Sequence, residues 1–255
     1  MHDRFEADLS ELSGRGRLRS LRERAGIDFT SNDYLGLAES EDLRRAAADA
    51  VARGVPVGSG GSRLLRGNHP EHEALEAEAA AYFGAETALY FGGGYVANLA
   101  IFATLPQRGD IVIHDELIHA SVHEGLRRGR AEFVGVKHND IGAFDAAIVR
   151  WRVAGGKGRP WLSVESLYSM DGDSPDLAAL FDIAERHDAM VVIDEAHATG
   201  VLGPHGRGLA AAFEGRSNVI TLHTCGKALG TVGTTLSGFR CRVHVSERVD
   251  SKFHG

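Results

Sequence analysis

Six short apolar runs set the limits on how this chain can fold: Ala88–Phe91, Asp110–Ile113, Ala131–Val136, Trp161–Val164, Met190–Ile193 and Asn218–Leu222. Between them lie stretches with helical spacing, over Val96–Thr104, Ala120–Arg128, Ile141–Trp151 and Leu177–His187. Runs of this length read as strands buried on both faces, and a helix-length connection is what a parallel crossover needs. The alternation predicts an α/β fold, a mostly parallel sheet with helices on both faces. With 43% hydrophobic residues in 255, the chain can bury a full core.

The flanking stretches read differently. Residues 1–26 are charged, with Arg15, Arg17, Arg19, Arg22 and Arg24 close together. They suit a solvated N-terminal helix or an arm reaching an anionic substrate. Ile27 begins a short strand that turns at Ser31–Asp33, where short polar side chains bond their own backbone. Glu41–Val51 reads as a helix, and so does His69–Phe83, which starts at Pro70 and stops at Gly84. Gly58–Arg63 is too glycine-rich for a regular element, and reads as a flexible loop or a site loop. The turn Gly92–Tyr95 is either a plain tight turn or backbone N–H groups presented to a phosphate at a helix start. These features divide the chain into an arm over 1–40, a large domain over 41–233 and an atypical tail over 234–255.

Composition narrows the function. The formal net charge of −7 argues against a nucleic-acid surface. The two cysteines, Cys225 and Cys241, form no CxxC pair and no disulfide framework, which fits a reducing cytoplasm. The charged first ten residues do not form a signal peptide, and no apolar run reaches the roughly 18 residues of a membrane span.

Two residues carry the chemistry. Asp194 ends one apolar run, and Lys227 follows the next, in Thr224-Cys-Gly-Lys227. Open α/β sheets bind ligands at the carboxyl ends of their strands. A desolvated amine and a buried acid at that edge are what pyridoxal phosphate needs, the amine for a Schiff base and the acid for the pyridine nitrogen. His119, His123, Asp194 and His197 leave a second reading open. His119 and His123 are four apart and would share a helix face, as in a metal-dependent hydrolase. The missing metalloprotease Glu and the presence of Lys227 tell against metal.

The motifs Ser31-Asn-Asp-Tyr-Leu-Gly-Leu37, Gly58-Ser-Gly-Gly-Ser-Arg63, His119-Ala-Ser121, Ser169-Met-Asp-Gly-Asp173, Asp194-Glu-Ala-His-Ala-Thr-Gly200 and Thr224-Cys-Gly-Lys227 come in one order over about 200 residues. From Asp28 to Gly233 the chain resembles the α-oxoamine synthases, fold-type I pyridoxal-phosphate enzymes. The resemblance implies that Lys227 carries the cofactor and Asp194 pairs with its ring nitrogen. It implies that His119 stacks on the ring, that Ser169 and His197 bond the phenolic oxygen, and that Gly94, Tyr95 and Thr224 hold the phosphate. Asn32 would lie near the substrate. The reaction implied is a decarboxylative condensation of an amino acid with an acyl thioester on coenzyme A or a carrier protein. L-alanine with a pimeloyl thioester, in biotin biosynthesis, is the leading pair. Glycine with acetyl-CoA, or serine with a long acyl thioester, are alternatives. A homodimer is implied too.

After Gly233 the match fades. The family continues with a small apolar strand and a C-terminal domain, which the sequence to Gly255 does not resemble. A truncated or frame-shifted product, or a non-catalytic remnant, is the expectation there.

Overall fold

The structure is a computed structural model that describes residues 2–21, 23 and 26–238. Arg22, Arg24, Cys241 and the rest of the expected tail beyond Gly238 lie outside the described residues. The chain divides after Ser31 into two units. The first carries helix α1, His2–Gly14. The strand expected from Ile27 is absent there, because Asp28 folds the chain into a turn. Its Oδ1 accepts the Thr30 amide at 2.8 Å and the Thr30 hydroxyl at 2.7 Å, so the backbone bends where a strand would extend.

The second unit runs α2 (Glu41–Ala52), α3 (Pro70–Phe83), β1 (Thr87–Phe91), α4 (Gly94–Thr104), β2 (Ile111–Asp115), α5 (Ala120–Arg128) and β3 (Glu132–Val136). It continues with α6 (Ile141–Val153), β4 (Pro160–Glu165), α7 (Leu177–His187), β5 (Met190–Asp194), β6 (Val219–Thr224) and β7 (Thr234–Gly238). Local chemistry starts and stops the helices. Ser40, Asp140 and Asp176 accept the amides of Leu43, Ala143 and Ala179 at the starts of α2, α6 and α7. Gly84, at φ 79°, ends α3 in the left-handed region.

The seven strands form one sheet in the order β1-β7-β6-β5-β4-β2-β3. Neighbours from β6 to β3 pair parallel, and β7 runs antiparallel to both β6 and β1. Alternating strand residues feed two cores. Ile113, Leu162, Val164, Val191 and Ile193 pack under Phe144, Ile148, Leu180 and Phe181 of α6 and α7. Val112, Trp161, Val192 and Ile220 pack under Ile101, Phe102, Val122 and Leu126 of α4 and α5.

The sequence boundary at 233 falls too early. Thr234–Gly238, read as the start of a tail, is the strand between β1 and β6. It escapes an apolar-run reading because hydroxyls fill its buried positions. Thr234 and Ser237 are 0% and 1% exposed; Ser237 shares a 2.7 Å hydrogen bond with Thr221 on β6, and Thr234 donates to Thr224 at 3.2 Å. Buried polar groups are tolerated where they pair in this way.

The fully buried Leu180 and the exposed Val153 make a control pair. Leu180→Ala is expected to cost about 2–5 kcal/mol through the cavity it leaves, and Val153→Ala less than about 0.5 kcal/mol. Urea unfolding of both variants against wild type measures the difference.

Candidate active site

The parallel strands bring their carboxyl ends to one edge. β2 delivers Asp115 there, β4 Glu165, β5 Asp194 and β6 Thr224, while β1 leads through Gly92 and Gly93 into α4. Glu165 and Asp194 stand directly abreast on β4 and β5.

Asp194 is 8% exposed, and a carboxylate that deep needs partners. Its Oδ1 accepts the Ala196 amide at 2.9 Å, and its Oδ2 accepts Nδ2 of Asn98 at 2.8 Å. Asn98 lies on the buried face of α4 and donates its second amide hydrogen to Ser121 Oγ at 3.1 Å. Ser121 in turn stands 2.7 Å from Nδ1 of His119, the capping residue of α5. The next acid, Glu195, takes a separate place. It is wholly buried and accepts from Ser166 Oγ at 2.7 Å and from the amides of Leu209 and Ala210.

Lys227 lies in the loop 225–233 between β6 and β7. That loop is closed by Cys225 N to Gly233 O at 2.8 Å, Thr231 N to Cys225 O at 3.0 Å and Gly230 N to Lys227 O at 3.0 Å. Gly230 must be glycine. Its φ is 66°, and a Cβ there would come within 2.4 Å of the Ala38 amide nitrogen. That close approach seats the Asn32–Ala38 turn on the Lys227 loop.

Lys227 Nζ reaches Nε2 of His197 at 2.6 Å. Burial holds the amine below its ordinary proton affinity, and the nearby Asp194 pulls the other way. Burial, reinforced by the Lys227 charge, takes His197 down to about 4. The neutral ring then accepts from Lys227 on Nε2. Its Nδ1–H meets the Tyr34 hydroxyl at 2.7 Å, and Tyr34 donates to Asn32 Oδ1 at 3.1 Å. Burial first, then the Asp194 charge, push Glu165 up to about 8, so it is protonated at neutral pH.

The expected residues fall into place unevenly. Lys227, His197, Asn32, Asp194 and His119 belong to the two hydrogen-bonded chains. Tyr95, half exposed, meets the His119 ring edge-on at 6.4 Å. Thr224 Oγ1 donates to Gly233 O and accepts the Gly226 amide, both at 3.3 Å. Ser169 is exposed on the turn after β4 and makes no hydrogen bond to these chains among the described residues. Asn98, Tyr34 and Glu165 were not anticipated. Tyr34 lies inside a quoted motif, and Glu165 ends a strand as Asp194 does, so both carried a signal; Asn98 carried none.

The shared helix face of His119 and His123 does not form. His119 caps α5 from outside, while His123 packs edge-on against His114 at 4.8 Å. Among the described residues, metal-ligand spacing occurs instead at His138, Asp171 and Asp173. Both His138 nitrogens there already bond carboxylates, of Asp115 and Asp173, at 2.9 Å. Burial lowers the proton affinity of His138, but the two carboxylates outweigh it and raise it overall.

His197 generates a pH prediction. Its folded value of about 4 lies below the ordinary 6.5, so folding disfavours its protonated form. The stabilising contribution is complete above pH 6.5 and is lost as pH falls toward 4. His197→Gln lacks that component. The stability gap between wild type and variant is expected to narrow over this range in urea titrations; parallel curves would refute the assignment.

Comparison with known proteins places this site in context. Residues 24–245 match the aminotransferase class I and II family. An 8-amino-7-oxononanoate synthase of Anaeromyxobacter sp. (strain K) is 41% identical over 252 residues, covering 93% of this chain and 62% of that protein. One from Azoarcus sp. (strain BH72) is 42% identical, covering 92% and 63%. The chain thus spans less than two thirds of the length of these relatives. Among solved structures, a serine palmitoyltransferase from S. paucimobilis, with a bound PLP–myriocin aldimine, superposes with TM-score 0.81 at 29% identity, over 92% of this chain and 64% of that one. The 8-amino-7-oxononanoate synthase of Francisella tularensis superposes with TM-score 0.72 at 28% identity, over 89% and 62%. The chain belongs to the aminotransferase class I and II family, and the relatives it resembles there are α-oxoamine synthases.

Proposed function

We propose that this site holds pyridoxal phosphate and serves the condensation of L-alanine with a pimeloyl thioester to 8-amino-7-oxononanoate, in biotin formation. The observation that carries the reading is the pairing at one sheet edge of a half-buried Lys227, bonded to neutral His197, with a buried Asp194 anchored by Asn98. The donor set fits the cofactor. No side chain caps the start of α4 at Gly93, so the first amides of that helix, at Gly94 and Tyr95, suit a phosphate. A Cβ at Gly94 would stand 3.5 Å from the Thr234 hydroxyl, which donates to Thr224.

When bound, the cofactor supplies an electron sink for charge on the amino acid's α-carbon. Asp194 would bond the ring nitrogen. Lys227, its proton affinity lowered by burial, would hold the cofactor and take the α-proton. His119 would lie against the ring, and His197 and Ser169 would bond its phenolic oxygen. Asn32, tied through Tyr34 to His197, faces the substrate. A carbon–carbon bond forms between the α-carbon and the thioester carbonyl, and the thiol and carbon dioxide leave.

The protein acts as a homodimer in the cytoplasm. No helix among the described residues is long and apolar enough to cross a membrane. Serine palmitoyltransferase chemistry is the second reading, favoured by the TM-score of 0.81. The 41% identity to 8-amino-7-oxononanoate synthases outweighs it.

The purified chain mixed with pyridoxal phosphate is expected to develop a visible absorbance band that borohydride bleaches while fixing the cofactor to the protein, and Lys227→Ala is expected to abolish both effects. Of pimeloyl, acetyl and palmitoyl thioesters offered with alanine, glycine or serine, the pimeloyl–alanine pair is expected to turn over at least about tenfold faster, a difference of about 1.4 kcal/mol in barrier. Preference for palmitoyl and serine would select the second reading.

A further inference from the structure

Asp194 and His119 approach the same edge from different elements, and neither touches the other. Asn98 and Ser121 join them. The chemistry of the four groups settles which way each hydrogen bond runs. Asp194 accepts only, so the Asn98 atom at 2.8 Å from its Oδ2 is the amide nitrogen, a donor. That same nitrogen lies 3.1 Å from Ser121 Oγ, which therefore accepts from it. The Ser121 hydroxyl hydrogen is left to point at His119 Nδ1, 2.7 Å away. The Ser121 amide also points at Nδ1, at 3.3 Å, and an amide can only donate. His119 Nδ1 thus receives two donors and has no place for a hydrogen of its own.

We propose that Ser121 and Asn98 are positioning residues that fix His119 in the neutral tautomer bearing its proton on Nε2, and that link this choice to the anchoring of Asp194. Ser121 is 0% exposed and Asn98 2%, so water cannot substitute for either partner. The ring is therefore held in one orientation with a single N–H directed away from the relay. Under the cofactor reading, on which only this consequence rests, the face covering the cofactor offers one donor in a fixed direction. A neutral ring also adds no positive charge beside the ring nitrogen that Asp194 serves.

The tautomer can be read without cofactor, so the test stands apart from the proposed activity. The chain is labelled with 15N-histidine, and long-range 1H–15N correlation spectra are recorded at neutral pH. The His119 signals are identified by their loss in His119→Gln. The expected pattern has a bare Nδ1 and a protonated Nε2. Ser121→Ala is expected to shift the Nδ1 signal out of the bare-nitrogen range into the average of two tautomers, with the other histidine signals unmoved. Ser121→Thr, which restores the hydroxyl, is expected to reverse that shift. Asn98→Ala is expected to give a smaller shift in the same direction. A proton on Nδ1 in the wild-type chain overturns the proposal even if every variant fails to fold, and so does a Ser121→Ala spectrum identical to wild type. Visible titration with pyridoxal phosphate reports separately whether the cofactor reading fails.

Discussion

The site depends on a carboxyl group placed where water barely reaches it. Asp194 ends β5 with 8% exposure, a depth at which a polar group needs hydrogen-bond partners. Two neutral donors supply them, the Ala196 amide and the Asn98 amide. Its neighbour Glu165, abreast on the next strand, is driven by burial and by the Asp194 charge to about 8 and holds its proton. Two acids at adjacent strand ends thus sit in different surroundings. Like charges so close would otherwise destabilise both.

Burial also organises the bases. His197 is held neutral at about 4 because burial and Lys227 both oppose its cation. A neutral imidazole can accept from Lys227 on one side and donate toward Tyr34 on the other, which an imidazolium could not do. The result is two hydrogen-bonded lines at one sheet edge, Lys227–His197–Tyr34–Asn32 and Asp194–Asn98–Ser121–His119. Each line crosses elements far apart in the chain, so the fold must be complete before either exists.

Much of the frame was legible in the sequence, and the omissions have physical causes. Leu177–His187 matched residue for residue because capping Asp176 and an apolar stripe agree. Asp194 and Lys227 stood out because each follows an apolar run. Asn98 did not, because it is an isolated polar residue within the mostly apolar helix Gly94–Thr104 and gives no local sign that it meets a carboxylate 96 positions away. Strand β7 was missed because Thr234, Thr235 and Ser237 bury hydroxyls rather than hydrocarbon. Ile27–Phe29 misled in the opposite sense, since Asp28 closes a turn where the apolar neighbours suggested extension.

Strand β7 has a consequence for the lysine. Because β7 is antiparallel to β6, Lys227 rides on a hairpin, whereas Asp194 and Glu165 end strands in a parallel array. The amine's height above the sheet is thus set by how two ladders are aligned, Thr224 opposite Thr234 on one side and Phe91 opposite Thr234 on the other. A slip of a single residue in either ladder would turn every β7 side chain to the opposite face and carry the amine off with it. The reactive group is indexed by strand pairing, much as a key's teeth are indexed by its shoulder.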